Sequence, residues 1–437
     1  MDQASYLWVR ASGHVHCVQA TWVYRRDIDH GGLRRMHENL AHGLLGRRVE
    51  PSPLPGGRHR WVAWHDLPRL DVCPSAWDPS VVADWFDERA HTPVDPEFGP
   101  CWHLAVLPIE NYGTAISLVA SHTVVDGIGL SLAVRDAVNG IRHDFGYPPP
   151  HSRRRRRALA EDARLTARAL PEVGRALGGM VKVAVQNRPS LGRRTDAATP
   201  APRPAGDRPV TVPTAAIYLD LAEWDACAAR LGGTSNVLLA GFAAKLAERF
   251  GRHRAADELV TLSYPVNDRT ANDLRANALK GIDFAISPAN VTTDLRGTRR
   301  HIKQALAEGL GKFADQERVF PLTPFVPKAV VRKLPLGALN AADRPVGCSN
   351  CGELDEAVTQ ADGTQADYFS LRMVEQNLTE KSPELVNGEL FVGSGRVAGK
   401  IFLTLRSYRP GADNSRRALQ DQAVSTLADF GLAGFVE

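Results

Sequence analysis

The first third of the chain alternates between the periodicities of strands and helices. Residues 14–24 are rich in Val, Thr, Trp and Tyr and predict a strand. Apolar residues then recur every three or four positions and predict an amphipathic helix, carried by Leu33, Met36, Leu40 and Leu44. Further on, the apolar runs 102–107 and 114–120 flank the turn sequence Asn111-Tyr112-Gly113, so this region predicts a β-hairpin.

The C-terminal half shows the same alternation. Asp220 and Glu223 have the spacing of a capping box, and the apolar stripe that follows predicts a helix ending at Gly232-Gly233. Four later segments have the composition or the alternation of strands, namely 259–266, 369–374, 389–393 and 400–408. No internal repeat is visible.

The composition changes between these two halves. Segment 187–213 holds prolines at 189, 200, 202, 204, 209 and 213 among Ala, Arg and Gly, which predicts an exposed linker. A chain of 437 residues is also too long for one ordinary core. We therefore divide it into an N-terminal domain (1–186), a linker (187–213) and a C-terminal domain (214–437).

Composition and charge narrow the class of protein. The content of 43% hydrophobic and 23% charged residues is that of a soluble globular protein. A formal net charge of +4 is small for this length and does not favour a nucleic-acid partner. There is no run of 18 apolar residues, and Met1-Asp2-Gln3 is not the start of a secretion signal. We expect a cytoplasmic protein with at most peripheral membrane contact.

The cysteines and histidines do not predict a metal site. Six cysteines are sparse and suit a reduced compartment rather than a disulfide scaffold. Cys348 and Cys351 have C-x-x-C spacing, but no second ligand pair accompanies them, and the flanking residues are not those of a thioredoxin-like turn. His14 and His16 would share one face of a strand, again without a third ligand nearby.

The strongest chemical signal follows the second run of the predicted hairpin. Residues 121–127 read Ser-His-Thr-Val-Val-Asp-Gly, and an apolar, helix-like segment comes next. His122, at the end of a buried strand, has a fixed backbone and a ring that can face a cleft, which suits a general base. Asp126 can hold a loop or a distant arginine, and Gly127 lets a substrate approach the backbone. A core histidine beside an Asp-Gly turn would give the same pattern.

Segment 121–127 resembles the His-His-x-x-x-Asp-Gly signature of the chloramphenicol-acetyltransferase-like superfamily. That superfamily includes peptide-synthetase condensation domains, plant-type acyltransferases and the bacterial wax ester synthase/diacylglycerol acyltransferases. The last group is the most similar, and further segments match its motifs in the same order, namely 2–8, 13–16, 100–104, 232–238, 265–269 and 349–350. The resemblance therefore extends through most of the chain.

This resemblance implies an α/β (α+β) fold of two lobes, each a mixed sheet with helices, and an active-site channel between them. It implies acyl transfer from a thioester to a hydroxyl or an amine, with His122 as the general base. Asp126 would orient the loop through an ion pair, for which Arg269 is a candidate partner, and Gly127 would keep the channel clear. The candidate channel residues are Ser121, Asn267, Arg269, Ser349 and Asn350.

The resemblance also implies the kinds of substrate. No cofactor is expected to be bound, because the thioester itself is a co-substrate, carried by coenzyme A or by the phosphopantetheine of an acyl or peptidyl carrier protein. The acceptor is a small molecule or a lipid. The chain is then a standalone condensation enzyme of specialised metabolism or a relative of the wax ester synthases.

Two departures from the family pattern leave an alternative open. Ser121 stands where the signature usually has its first histidine, and the Asp-Phe-Gly-Trp-Gly loop of condensation domains is absent. The second histidine carries the mechanism, so these departures do not exclude catalysis. The alternative is a non-catalytic or regulatory ligand-binding protein of the same fold.

Five consecutive arginines, 153–157, precede a predicted helix over 158–177. A run of like charges is typical of a solvated surface. The alternative is contact with an anionic partner: an acidic carrier protein, the phosphates of coenzyme A or a lipid headgroup.

Overall fold

The computed structural model describes residues 2–186, 208–254, 257–270, 273–317, 322, 325 and 345–437, so the predicted linker lies outside the described residues except for 208–213. The helices are α1 Asp2–Ser12, α2 His30–Leu40, α3 Val82–Ala90, α4 Gly127–Val138, α5 Arg155–Gln186, α6 Leu221–Arg230, α7 Ser235–Arg249, α8 Arg296–Glu317, α9 Lys381–Leu385 and α10 Arg416–Asp429. The strands are β1 Val15–Tyr24, β2 Arg47–Glu50, β3 Arg60–Ala63, β4 Asp71–Val72, β5 Trp102–Ile109, β6 Gly113–Ser121, β7 Thr214–Asp220, β8 Val260–Asn267, β9 Leu279–Ile286, β10 Val346–Glu353, β11 Tyr368–Gln376, β12 Glu389–Val397, β13 Lys400–Tyr408 and β14 Phe435–Val436.

The N-terminal lobe is built on a five-stranded sheet in the order β11-β1-β6-β5-β4. Its central strands are apolar on both faces, as expected of strands covered on both sides. The predicted hairpin is confirmed as β5 and β6, and Asn111 has a φ of 52° in the turn between them. The end of β6, and with it His122, lies in the middle of this sheet.

Two helices cover the face of this sheet next to the motif. The predicted amphipathic helix is α2, where Asp29 caps the first turn and Leu33, Met36 and Leu40 are buried. It ends before Leu44, which lies in a short 3-10 helix. Helix α4 packs against α2 and buries Leu130 and Val134, so the start of α4 is held at the end of β6.

The C-terminal lobe is built on a seven-stranded sheet in the order β14-β7-β13-β12-β10-β8-β9. The four strands predicted in this half are confirmed as β8, β11, β12 and β13. Helix α6 starts as the capping box predicts, with the Asp220 side chain accepting a hydrogen bond from the Glu223 N–H. Helix α7 is the most deeply buried helix of this lobe and packs against β8 and β10.

Strand β11 crosses between the lobes. It comes from the C-terminal half of the chain but pairs with β1 over nine residues, from Val15 opposite Gln376 to Val23 opposite Tyr368. Dividing the chain at the linker would place β11 in the C-terminal lobe, so this division does not predict that β11 joins the N-terminal sheet. The overall class is confirmed: a mixed α/β fold of two lobes, each with its own sheet and core. None of the described helices combines the length and apolar character needed to cross a membrane.

Candidate functional site

The backbone of His122 is fixed from both lobes. Its N–H donates to the carbonyl of His16 at 2.8 Å, which extends the pairing of β6 with β1 by one residue. Its carbonyl accepts from the Asn277 side chain, Nδ2 to O 3.0 Å, on the loop between β8 and β9. The imidazole is half-buried. Among the described residues, no side chain is hydrogen-bonded to the ring.

Asp126 uses both carboxylate oxygens to hold the loop after His122. Oδ1 accepts from the N–H of Gly129 at 2.6 Å, which caps helix α4. Oδ2 accepts from the N–H of Ala278 at 2.9 Å and from Nη2 of Arg269 at 2.8 Å. One side chain therefore sets the start of α4 and ties it to the other lobe.

The structure brings Arg269 and Asp126 together as the resemblance implies. The two side chains are 4% and 1% exposed, so the ion pair is shielded from water. Arg269 also donates through Nη1 to the carbonyls of Asp273 and Arg275, at 3.0 and 2.9 Å. These bonds compensate much of the desolvation that a buried pair costs.

Sequence analysis missed a second tie between the same two loops. Arg47, at the start of β2, is fully buried, and its guanidinium lies over the ring of Trp61 at 4.3 Å. Nη2 donates to the carbonyl of Val124 at 2.8 Å, and Nη1 donates to that of Leu274 at 2.6 Å. Arg47 therefore connects the loop after His122 with the β8–β9 loop. Nothing in the sequence distinguishes Arg47 and Arg48 from ordinary surface arginines, so the burial of Arg47 is not predicted.

Strand β10 of the C-terminal lobe passes close to Gly127. A Cβ atom at position 127 would lie 3.5 Å from Sγ of Cys351. Burial raises the pKa of the Cys351 thiol to about 12, helped by the nearby Asp126, so this thiol is protonated at neutral pH. Burial likewise raises the pKa of Cys348 to about 12. Within the described ranges, no group of three or more His, Cys, Asp or Glu residues is placed to hold a metal ion.

The remaining candidate channel residues differ in exposure. Ser121 is fully buried, and its Oγ accepts from the N–H of Thr123 at 3.3 Å, so it does not face a cavity. Asn267 is exposed, and its side chain accepts from the N–H of Arg269 at 3.0 Å. Ser349 and Asn350 are half-buried on β10, where Nδ2 of Asn350 donates to Oδ1 of Asn236 at 2.6 Å.

A cavity of about 460 Å³ is lined in part by Arg269, the partner of Asp126 in the buried ion pair. Its walls come from both lobes and include Ile128 and Leu132 of α4 with Asn267 and Arg269 of the C-terminal lobe. His122 is not among the residues that line it.

A second feature missed by sequence analysis is a row of ionisable groups next to His122. His16 of β1 has Nδ1 at 3.4 Å from Oε1 of Glu375 on β11. The same oxygen lies 3.2 Å from Nη1 of Arg406 on β13, and Nη2 of Arg406 lies 3.0 Å from Oε1 of Glu389. Closely packed ionisable groups shift one another's pKa values, and such groups concentrate at functional sites. Strand β11 brings Glu375 here from the far end of the chain, so no local pattern predicts the row.

Comparison with known proteins identifies the fold. No protein-family profile matches the sequence, and no curated protein matches it. The first condensation domain of the calcium-dependent antibiotic synthetase matches with a TM-score of 0.56 at 14% identity, over 98% of this chain and 95% of that one. The wax ester synthase/diacylglycerol acyltransferase from Marinobacter aquaeolei VT8 matches at 0.52 and 16%, over 98% and 97%.

Polyketide synthase associated protein 5 from Mycobacterium tuberculosis also matches, with a TM-score of 0.52 and 15% identity, over 98% of this chain and 96% of that one. At such identities the likeness concerns the fold. Because nearly the whole length of each chain is covered, the expected two-lobed architecture is confirmed. The chain therefore has the two-lobed fold of these condensation-domain and wax ester synthase structures.

Proposed function

We propose that this chain, which has the fold of condensation domains and wax ester synthases, is an acyltransferase. It would move an acyl group from a thioester to a hydroxyl or an amine, with His122 as the general base. The observation that carries the proposal is the half-buried imidazole of His122 on a backbone fixed by His16 and Asn277. Its loop is closed by the buried Asp126–Arg269 pair.

The described residues supply the parts that acyl transfer needs. His122 takes the proton of the attacking hydroxyl or amine, the nucleophile adds to the thioester carbonyl, and a tetrahedral oxyanion forms. Collapse of this intermediate breaks the C–S bond, and His122 returns its proton to the leaving thiolate.

The fold neighbours support a range of donors and acceptors. Their names describe a synthetase condensation domain, a polyketide synthase associated protein and a wax ester synthase. We therefore propose a donor on coenzyme A or on an acyl or peptidyl carrier protein, and a small-molecule or lipid acceptor. A cytoplasmic location, with at most peripheral membrane contact, remains a prediction.

The proposal is tested with purified protein, a panel of acyl-CoA and acyl-carrier-protein donors, and pooled hydroxyl and amine acceptors. Mass spectrometry should detect an ester or amide product. His122→Ala should lower turnover by about 10² to 10⁴, the usual contribution of a general base. His30→Ala removes an exposed imidazole on α2 and should have no effect.

Two results would count against this function. Full activity in His122→Ala would remove His122 from the mechanism. A wild-type protein whose melting temperature rises with a thioester, but which forms no product even in a single turnover, would be the ligand-binding alternative.

A further inference from the structure

Three side chains form a row across three neighbouring strands of the N-terminal sheet. His122 lies opposite His16, because the register that pairs Cys17 with Ser121 continues by one residue through the His122 N–H to His16 carbonyl bond of 2.8 Å. On its other side, His16 lies opposite Glu375 of β11. Directly opposed residues of antiparallel strands project from the same face of the sheet. The two imidazoles and the carboxylate are therefore neighbours.

Charged groups from the other lobe support the end of this row. Glu375 is contacted by Arg406 at 3.2 Å, and Arg406 is contacted in turn by Glu389 at 3.0 Å. The side chain of His16 is 33% exposed, whereas those of Glu375 and Arg406 are 17% and 8% exposed. His16 is thus the member of this group that a ligand can reach, whereas the charged residues next to it are more deeply buried.

The carboxylate determines which nitrogen of His16 carries the proton. Burial raises the pKa of Glu375, but Arg406 and His16 outweigh burial and the net shift is downward, so Glu375 is ionised and can only accept. The proton of a neutral His16 then lies on Nδ1, facing Glu375 at 3.4 Å, and Nε2 is left as an acceptor.

His16 is neutral at neutral pH. Burial lowers its pKa and outweighs the opposing effect of Glu375, and His122, Arg406 and His14 lower it further. The imidazoles of His16 and His122, which lie opposite each other, thus offer two proton acceptors to one substrate.

We propose that His16, oriented by Glu375, is a second proton acceptor beside His122 and that the acceptor substrate is a primary amine entering as its ammonium ion. This inference rests on the proposed acyltransferase function and specifies its acceptor. An alcohol loses one proton during acyl transfer, for which His122 suffices. An ammonium ion must lose two, one to become a nucleophile and one after attack.

The proton and bond changes balance with these two acceptors. His16 takes the first proton from the ammonium ion at Nε2 and passes it to solvent at once, because its lowered pKa does not let it retain the proton, while Glu375 keeps the ring oriented. The free amine attacks the thioester carbonyl, and the C–N bond forms. His122 takes the second proton and delivers it to sulfur as the C–S bond breaks. The products are an amide, a thiol and one proton.

The test compares one acyl-CoA donor with two acceptors of equal chain length, hexylamine and hexanol, from pH 6 to pH 10. The wild type should form the amide in preference to the ester. His16→Asn and Glu375→Gln should lower amide formation at pH 7 by about 10² or more, the usual contribution of an acid–base group. This defect should shrink towards pH 10, where about a quarter of an alkylamine is deprotonated without help. Ester formation should change little in these variants.

Matched controls separate this role from a structural one. His103→Asn removes a buried strand histidine elsewhere in the same sheet, and Glu97→Gln neutralises a carboxylate paired with Arg10. Neither should change the ratio of amide to ester. A defect in His16→Asn that is equal for both acceptors, or that does not vary with pH, would overturn the inference.

The outcomes also distinguish this inference from the proposed function. A wild type that forms the ester but not the amide overturns the amine assignment and leaves acyl transfer standing, whereas one that forms neither product contradicts both. Nitrogen-15 NMR of the histidine rings supplies a readout without turnover. The resonance that disappears in His16→Asn should be that of an Nδ1–H tautomer, and it should shift with hexylamine but not with hexanol. An Nε2–H tautomer would contradict the assigned geometry.

Discussion

Asp126 and Arg269 join the two lobes through a buried ion pair, with Oδ2 of the first 2.8 Å from Nη2 of the second. Asp126 lies four residues after His122, in a loop that Arg47 and Asn277 also hold in place. The position of the proposed base therefore depends on contacts between lobes, and not on its own lobe alone.

Asp126→Asn tests the ion pair separately from the helix cap. Asparagine can still accept from the N–H of Gly129, but it leaves the buried charge of Arg269 with backbone carbonyls and without its carboxylate. We expect the free energy of unfolding to fall by about 3–5 kcal/mol, measured by urea denaturation. Asp126→Ala should cost about 1 kcal/mol more, because the cap is lost as well. Wild-type stability in Asp126→Asn would show that the pair does not hold the loop.

Gly127 and Gly129 should respond differently to alanine. A Cβ atom at 127 would meet only Sγ of Cys351, at an ordinary van der Waals distance of 3.5 Å, so Gly127→Ala should fold normally. If position 127 borders the substrate, this variant should raise KM more than it lowers kcat. A Cβ at 129 would lie 2.8 Å from Cγ2 of Val125 and 3.3 Å from Nη2 of Arg269. Gly129→Ala should therefore lower the free energy of unfolding by about 1–3 kcal/mol. Equal melting temperatures for the two variants would contradict this account.

The arginine run 153–157, which extends into the first turn of α5, contains two kinds of residue. Arg153 is 11% exposed and bonded to Asp162 at 2.7 Å, whereas Arg154, Arg155 and Arg156 are exposed. Replacing these three with Gln, and leaving the exposed Arg157 that pairs with Glu161, should hardly change the melting temperature. If they meet an anionic donor, the change should raise the KM for that donor at low salt and have less effect at high salt. Arg153→Gln is the converse control and should lower stability. Unchanged donor kinetics at all salt concentrations would assign the run to the solvated surface.

His103 on β5 should make the fold sensitive to acid. Burial lowers its pKa to about 4, well below the value of 6.5 expected in the unfolded chain. Between pH 6.5 and pH 4 the unfolded chain binds a proton that the folded chain does not, so stability falls as the pH falls through this window. The loss from this residue is about 3 kcal/mol. His103→Gln, which can still donate to the Arg89 carbonyl, should flatten the profile of unfolding free energy between these pH values. A profile parallel to that of the wild type would contradict the assignment.

Local patterns predicted the elements that position His122. The β5–β6 hairpin and helix α2 follow from periodicity and turn residues within short windows, and the motif at 121–127 marks where the base should stand. The resemblance also suggested Arg269, which lies in a motif of its own. Sequence reasoning reached these features because each is encoded by neighbouring residues.

The residues that sequence reasoning missed act over long separations. Asn277 and Arg47 are ordinary polar residues until folding places them beside the carbonyls of His122 and Val124. Ser121 was a candidate for substrate contact, but a strand residue next to His122 points to the opposite face and is buried there. The neighbours of His16 arrive on β11 and β13, and no short window contains them.

The exchange of β11 has a consequence for how the protein is made. Residues 15–23 leave the ribosome early and can pair with β6 along one edge, but the other edge finds its partner only when residues 368–376 have followed. At about 5–20 residues per second, the edge of β1 stays open for tens of seconds during synthesis. Pairings of such sequence separation also slow folding and leave a strand edge available for wrong partners meanwhile. The nascent N-terminal sheet should therefore need protection by a chaperone until the chain is nearly complete.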